Sequence, residues 1–291
     1  AAAIKAAESL FETNWNAKSG DLQRIQFQGK ADELAAQLDD YAALTLASIR
    51  LYDLTFDERW YARAGALLST MQTKFRDEDS SFFMTASLNG ADGQLDLITR
   101  PKEYYDGAQP SSNSLALAAL VEYYQRNGQP MLKREALETW TRLSGNALKS
   151  TGSHPIALLY GIKLNSESAS STRFAANGTV KLKVNRSANK LTVIAETKEG
   201  WHMNSSEPLQ EDYIPTTLAG PDLSKITYPV ASMYKPDFSD ELLSVYDGAT
   251  MFTSAINSNA ASTATLQIQV CSNQICLPPE NVSLFIPATP Q

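Results

Sequence analysis

Cys271 and Cys276 are the two cysteines of a 291-residue chain, and both fall in one window, Cys271-Ser272-Asn273-Gln274-Ile275-Cys276, which runs directly into Leu277-Pro278-Pro279-Glu280. The window closes an alternating apolar run, Leu266, Ile268 and Val270, so the spacing predicts a strand–loop–strand thiol site. Four intervening residues let a tight turn bring the two Cα atoms within the roughly 4.4–6.8 Å that a disulfide needs. So small a loop adds little stability through chain entropy. That weakens a purely structural role and favours redox exchange. Two other readings stay open at this point, a structural clip on a β-hairpin and a pair of inert buried thiols. A zinc site is disfavoured, because such sites take four ligands and the histidines, His154 and His202, lie far away in sequence. The sequence calls for no metal and no cofactor.

The residues that must position this window divide into two halves. From Asp39 the apolar residues Leu44, Ala47, Leu51 and Leu54 recur at helical spacing. Asp57 then caps a second helix with Trp60, Ala64, Met71 and Phe75 on one face. A third helix runs from about Ser112 to Gln125 and stops at Asn127-Gly128, and Pro130 opens a fourth. Flanking helices, Ile4 to Trp15 and Pro155 to Leu164, complete six, arranged as stacked hairpins. The long link from Asp77 to Gln109 is expected to carry a small β-excursion, Ser81–Met84 and then Leu95–Thr99.

Residues 166–174 begin with a polar, small-residue stretch and read as a linker between a helical domain, 1–165, and a β-domain, 175–291. Beyond the linker period-2 alternation takes over: Val180, Leu182, Val184; Leu191, Val193, Ala195; Val282, Leu284, Ile286. Turn signals at Asn177-Gly178, Glu199-Gly200, Gly220-Pro221 and Asp247-Gly248 separate the runs. The expected fold is therefore α followed by β, ending in a sandwich.

Composition narrows the partners. The net charge is −7, with 18 basic against 21 acidic residues to position 174 and 7 against 11 beyond it. Neither half has the basic excess that nucleic acid or an anionic membrane surface would select. No apolar stretch reaches the 18 or so residues of a bilayer span, and the opening Ala1–Lys5 lacks the look of a secretion leader. Four N-x-S/T matches, at Asn177, Asn185, Asn204 and Asn281, read as chance.

Two resemblances sharpen these readings. The stretches Leu38–Ala42, Tyr52–Trp60 and, most specifically, Arg100–Ser114 resemble the (α/α) toroid of thioredoxin-domain proteins related to sugar epimerases and glycosidases. Ser112 stands where that family carries Gly. The resemblance implies a partial toroid, since six helices are half of the twelve that close one, and a chain that is the C-terminal portion of a longer thioredoxin-containing protein. It would place Asp39, Asp40, Tyr41, Arg100, Lys102, Tyr105, Asp106, Ser111 and Asn113 around a central cavity, where paired carboxylates could act on a sugar. Against this, Asp39 or Asp40 can cap a helix, Ser111, Ser112 and Asn113 read as capping residues, Arg100 or Lys102 can pair with Asp106, and His154 reads as a surface residue at a helix start.

The β-half resembles the immunoglobulin-like N-terminal domain of the thiol:disulfide interchange protein DsbD. The match runs through Gly200–Leu209, Tyr213–Leu218, Tyr246-Asp247-Gly248 and Cys271–Glu280 in that order; family members carry five residues between the cysteines where this chain has four. The resemblance implies an exported, periplasmic bacterial protein whose reduced pair passes two electrons to a thioredoxin-fold partner. Cys276 would join the partner and Cys271 would resolve the adduct. A cap loop, Ser244–Gly248 with Val245, Tyr246 and Asp247, would shield the pair, Tyr246 being either the shielding aromatic or an ordinary strand residue. Trp201 and His202 read as packing and a turn contact, with contact to the redox site as the alternative. Glu280 is either solvated or a negative charge that raises a thiol pKa.

Overall fold

Capping signals set the helix boundaries of the first half. The computed structural model describes residues 2–31, 33–87, 99–127, 129–165, 172–236 and 241–289. Among these residues six α-helices form, α1 (Ala2–Thr13), α2 (Leu38–Thr55), α3 (Glu58–Lys74), α4 (Ser112–Asn127), α5 (Pro130–Lys149) and α6 (Pro155–Asn165). A two-stranded ribbon, β1 (Gln26–Phe27) and β2 (Lys30–Ala31), sits between the first two helices in the chain. Asp57 caps α3 by accepting the Arg59 amide, and Pro130 occupies the first turn of α5. Two compact units result: Ala1–Tyr124 with Gln129–Asn165, and Ser166–Gln291 with Gln125–Gly128.

In the helical unit α2 packs on α3 and α5 on α6. The buried face of α3 carries Trp60, Ala64, Met71 and then Phe75, as the periodicity indicates. The buried face of α2 differs from the expected one. Leu54 is 79% exposed and Ala47 is exposed, while Tyr41, Thr45, Ser48 and Tyr52 join Leu44 and Leu51 inside. Thr45 and Ser48 are tolerated there because each hydroxyl donates to the carbonyl four residues back, Tyr41 and Leu44, both at 2.8 Å. Of the expected β-excursion, Phe82 forms an isolated bridge with Arg76; residues 95–98 lie outside the described residues.

The second unit is a set of antiparallel sheets forming an immunoglobulin-like sandwich. Its first strand, β3 (Thr172–Ala175), opens inside the stretch read as a linker. It is followed by β4 (Val180–Ser187), β5 (Lys190–Thr197), β6 (Trp201–Asn204), β7 (Thr217–Ala219), β8 (Leu223–Thr227) and β9 (Ser232–Tyr234). Then come β10 (Leu243–Asp247), β11 (Ala249–Ile256), β12 (Ser262–Ile268), β13 (Val270–Ser272) and β14 (Glu280–Ile286). The sheet orders are β3-β4-β5-β11-β8, β13-β6-β10-β9 and β14-β12-β7. All three sheets feed one core: Val180, Leu182, Val193 and Phe252 from the first, Met203, Tyr246 and Val270 from the second, Leu266, Ile268, Leu284 and Ile286 from the third. The alternation noted in the sequence is this inward face.

One strand segment belongs to two sheets. β12 pairs with β14 and β7, and after Gln269 the same run continues as β13 against β6. Gln269 fixes the switch: its carbonyl accepts the Asn204 amide (3.1 Å), and its side-chain oxygen accepts the Asn204 side-chain amide (3.0 Å) and the Ile214 amide (3.1 Å). Asn204, fully committed and buried, is one of the sequence's chance N-x-S/T matches.

Candidate functional site

The C-x4-C spacing resolves into a hairpin with a two-residue tip. The Ser272 amide donates to the Ile275 carbonyl and the Leu277 amide to the Val270 carbonyl, both at 2.8 Å. Asn273 and Gln274 are left as the turn, which the Ser272 hydroxyl closes by accepting the Gln274 and Ile275 amides, each at 3.2 Å. The flanking bonds make Cys271 and Cys276 a directly opposed, non-hydrogen-bonded pair, the site of closest cross-strand approach. Their Cα atoms lie 4.0 Å apart and the sulfurs are bonded. This is tighter than the separation expected from the spacing alone, because the hairpin register rather than a loose loop sets it.

The two cysteines differ in exposure. Cys271 is 0% exposed, whereas Cys276 is exposed beside Ile275, itself 55% exposed. The cause is the sheet. Val270 turns into the core, so Cys271 turns to the opposite face of β13, where β6 flanks it; Cys276 lies beyond the sheet edge.

The register places His202 directly across from Cys271, and Asp247 directly across from His202 on the other side. Opposed residues share a face, so Cys271, His202 and Asp247 form a row. The His202 ring, 3% exposed, packs 4.6 Å from the Tyr234 ring, and its buried Nε2 has no hydrogen-bond partner among the described residues. Burial pushes the His202 pKa below its ordinary value, with Asp247 acting in the opposite sense. His202, read from sequence as a turn contact, is thus a strand residue beside the disulfide. The signal that could have found it is the pairing of two strands about seventy residues apart, which no local pattern encodes.

The stretch read as a cap loop is strand β10. Val245 and Tyr246 are buried, and Tyr246 stands in the core with its ring 5.5 Å from Phe252. Its hydroxyl meets Ser206, accepting the amide at 3.1 Å. Asp247 is exposed and accepts from the Ser232 hydroxyl at 3.3 Å. Glu280 is partly exposed, and its carboxylate accepts the Ala176 amide at 2.7 Å and ties β14 to the end of β3.

In the helical unit the candidate cavity residues other than Tyr105 hold elements together. Asp40 forms a capping box at α2, accepting the Gln37 amide at 2.8 Å, and Arg24 bridges Asp39 (3.3 Å) and Asp40 (3.4 Å). The Tyr41 hydroxyl accepts the Leu22 amide (2.8 Å) and donates to the Gly20 carbonyl (3.1 Å), and burial pushes its pKa up to about 12. Arg100 donates to the Thr85 and Lys74 carbonyls and lies 4.0 Å over the Phe83 ring. Lys102 pairs with Asp77 and Asp79 rather than with Asp106. Asp106 accepts two amides, Ser111 (2.8 Å) and Ile156 (3.0 Å), and so caps α4 and α6 together. The Ser111 hydroxyl accepts the Ser114 amide at the start of α4. Asn113 clamps Phe82 through both its amide and its carbonyl (2.8 and 2.9 Å) and also bonds the Glu103 carbonyl. Tyr105 is exposed, edge-on to His154. His154 is buried, not superficial, with Nδ1 3.0 Å from the Ser150 carbonyl. Among the described residues no group of three or more His, Cys, Asp or Glu could hold a metal ion, and no helix is long and apolar enough to cross a membrane.

The β-unit is thus an immunoglobulin-like sandwich in which a disulfide at a hairpin joins one buried and one exposed cysteine. Residues 172–286 match the family described as "Thiol:disulfide interchange protein DsbD, N-terminal". Among solved structures the chain is similar to the DsbD N-terminal domain of Neisseria meningitidis in its reduced form, at 13% identity and TM-score 0.32, over 40% of this chain and 91% of that one. It is also similar to the N-terminal periplasmic domain of ScsB from Proteus mirabilis, at 16% identity and TM-score 0.29, over 36% of this chain and 44% of that one. A third similarity is to the complex of the DsbD and PilB N-terminal domains of Neisseria meningitidis, at 12% identity and TM-score 0.29, over 36% and 79%. No curated protein matches the chain.

Proposed function

We propose that the β-unit carries out thiol–disulfide interchange through Cys271 and Cys276, exchanging two electrons with a thioredoxin-fold partner in the bacterial periplasm. The observation that carries this reading is the asymmetry of the pair: one sulfur faces solvent at a hairpin tip, and its bonded neighbour is buried. In the reduced state the Cys276 thiolate attacks the partner disulfide, giving a mixed disulfide and expelling one partner thiolate. Cys271 then attacks the Cys276 sulfur, forming the internal disulfide and releasing the second partner thiolate. The pair loses two electrons and the partner disulfide gains them.

The helical unit serves as scaffold or docking surface within a toroid-type protein. Its carboxylates at Asp40 and Asp106 are taken up by helix ends, which supports this role over a sugar-processing one. Turnover of a mannose or glucosamine derivative, lost on Asp40→Asn or Asp106→Asn, would overturn it.

A redox titration in glutathione or dithiothreitol, read by alkylation and mass spectrometry with circular dichroism alongside, tests the exchange. A reactive pair equilibrates with the buffer while the fold persists; structural disulfides of secreted proteins lie below about −300 mV. Reduction that occurs only when the β-unit unfolds makes the bond a structural clip.

A further inference from the structure

Cys271 must lose a proton to act as a nucleophile, and it has no access to water. A thiol buried in this way is poorly ionised, because burial disfavours the thiolate. The resolving step therefore needs a proton acceptor inside the fold. We propose that His202 is that acceptor, taking the Cys271 thiol proton as Cys271 attacks the Cys276 mixed disulfide. The inference rests on the exchange reading above and names a residue that the reading alone does not.

Four observations carry it. His202 is the directly opposed neighbour of Cys271 on the same face of the sheet, where Cβ atoms lie about 5 Å apart. It is buried with Cys271, so the proton need not pass through solvent. Its Nε2 has no hydrogen-bond partner among the described residues, although buried polar atoms are ordinarily satisfied; an unpartnered imidazole nitrogen next to a thiol is placed to take its proton. Asp247, opposed to His202 on β10, is placed to stabilise the imidazolium that results. The other ring packed on His202 is Tyr234, which brings no carboxylate or ammonium group. Burial pushes the His202 pKa below its ordinary value and so favours the neutral imidazole, with Asp247 acting in the opposite sense.

The step balances. The Cys276 thiolate attacks a disulfide and expels one thiolate. The Cys271 proton moves to His202, the Cys271 thiolate bonds to the Cys276 sulfur, and the second thiolate leaves. The imidazolium then returns its proton to solvent. Two electrons pass from the pair to the disulfide reagent.

The test uses the reduced full chain and 5,5′-dithiobis(2-nitrobenzoate), followed by stopped-flow release of thionitrobenzoate. With two cysteines in the sequence, the first release reports Cys276 and the second reports Cys271. Cys271→Ser should abolish the second release. His202→Gln should leave the first phase within twofold of wild type and slow the second at least tenfold at pH 7. The wild-type second phase should rise with pH and then level off, with its inflection below the ordinary histidine value of 6.5. In His202→Gln it should instead keep rising above pH 8, following the thiol's own ionisation. A second phase within twofold of wild type and with the wild-type pH profile overturns the proposal, even if the redox titration shows a reversible pair. Should His202→Gln fail to fold, Asp247→Asn decides: it should move the low-pH inflection of the second phase to lower pH, and an unmoved inflection overturns the assignment. A first phase that never occurs, or a bond that cannot be reduced in the folded protein, counts against the exchange reading itself.

Discussion

Cys271 and Cys276 face each other across the narrowest site of a hairpin, 4.0 Å apart at Cα, yet one is fully buried and the other exposed. A partner nucleophile can therefore reach only one sulfur. In the intact protein Cys271→Ser should accumulate a mixed disulfide through Cys276 with a thioredoxin-fold protein, whereas Cys276→Ser should capture none. Non-reducing electrophoresis with mass spectrometry of the linked peptides checks this, and equal trapping by both variants would contradict the access argument.

Breaking the bond should cost the fold little. The closed loop spans a sequence separation of 5, for which chain entropy gives about 2 kcal/mol. Urea unfolding of the oxidised and reduced forms should differ by no more than that, with the same dichroism in water. A loss of several kcal/mol would mean that the pair is structural.

Asp106 holds two helix ends with one carboxylate. Asp106→Ala should lower stability by about 2 kcal/mol, one cap's worth at each of α4 and α6. Asp106→Asn, which keeps an acceptor, should lose less. Thermal unfolding of the helical unit, followed at 222 nm, reads both.

Acid should weaken the helical unit first through its Asp–cation cluster. Burial works to raise the Asp79 carboxyl, but hydrogen bonds from Ser81, Arg142 and Lys102 outweigh it and hold it well below its ordinary value of 3.8. Lys102 does the same for Asp77. A carboxyl depressed on folding contributes stability above its unfolded pKa and loses that contribution as pH falls through the folded one. Stability should therefore be level at neutral pH and decline below about pH 4. Asp79→Asn should flatten that decline while costing no more than about 1 kcal/mol at pH 7, because the group is partly exposed and screened. Urea midpoints between pH 2 and 7 for both proteins measure the difference.

Helix ends and strand faces were legible in the sequence because local chemistry writes them: Asp57 and Pro130 mark helix starts, and Val180, Leu182 and Val184 alternate into the core. The face of α2 was not, since Thr45 and Ser48 look polar until their hydroxyls bond to their own helix. Tyr246 was open between a shielding aromatic and a strand residue, because only the pairing with Met203 of β6 sets its ring in the core. The cysteine window could be read directly, whereas its neighbour His202 could not, because the register joining β6 to β13 is decided by packing over a long separation.

The Gln269 switch has a kinetic consequence for any partner bound at Cys276. Because Gln269 pins the start of β13 to Asn204 and Ile214, Cys271 stays opposite Cys276 after their bond opens. Its effective concentration against that sulfur then far exceeds any thiol a cell supplies in solution. An adduct at Cys276 is thus short-lived by construction, and residence on the domain is governed by an intramolecular race rather than by the strength of the docking contact.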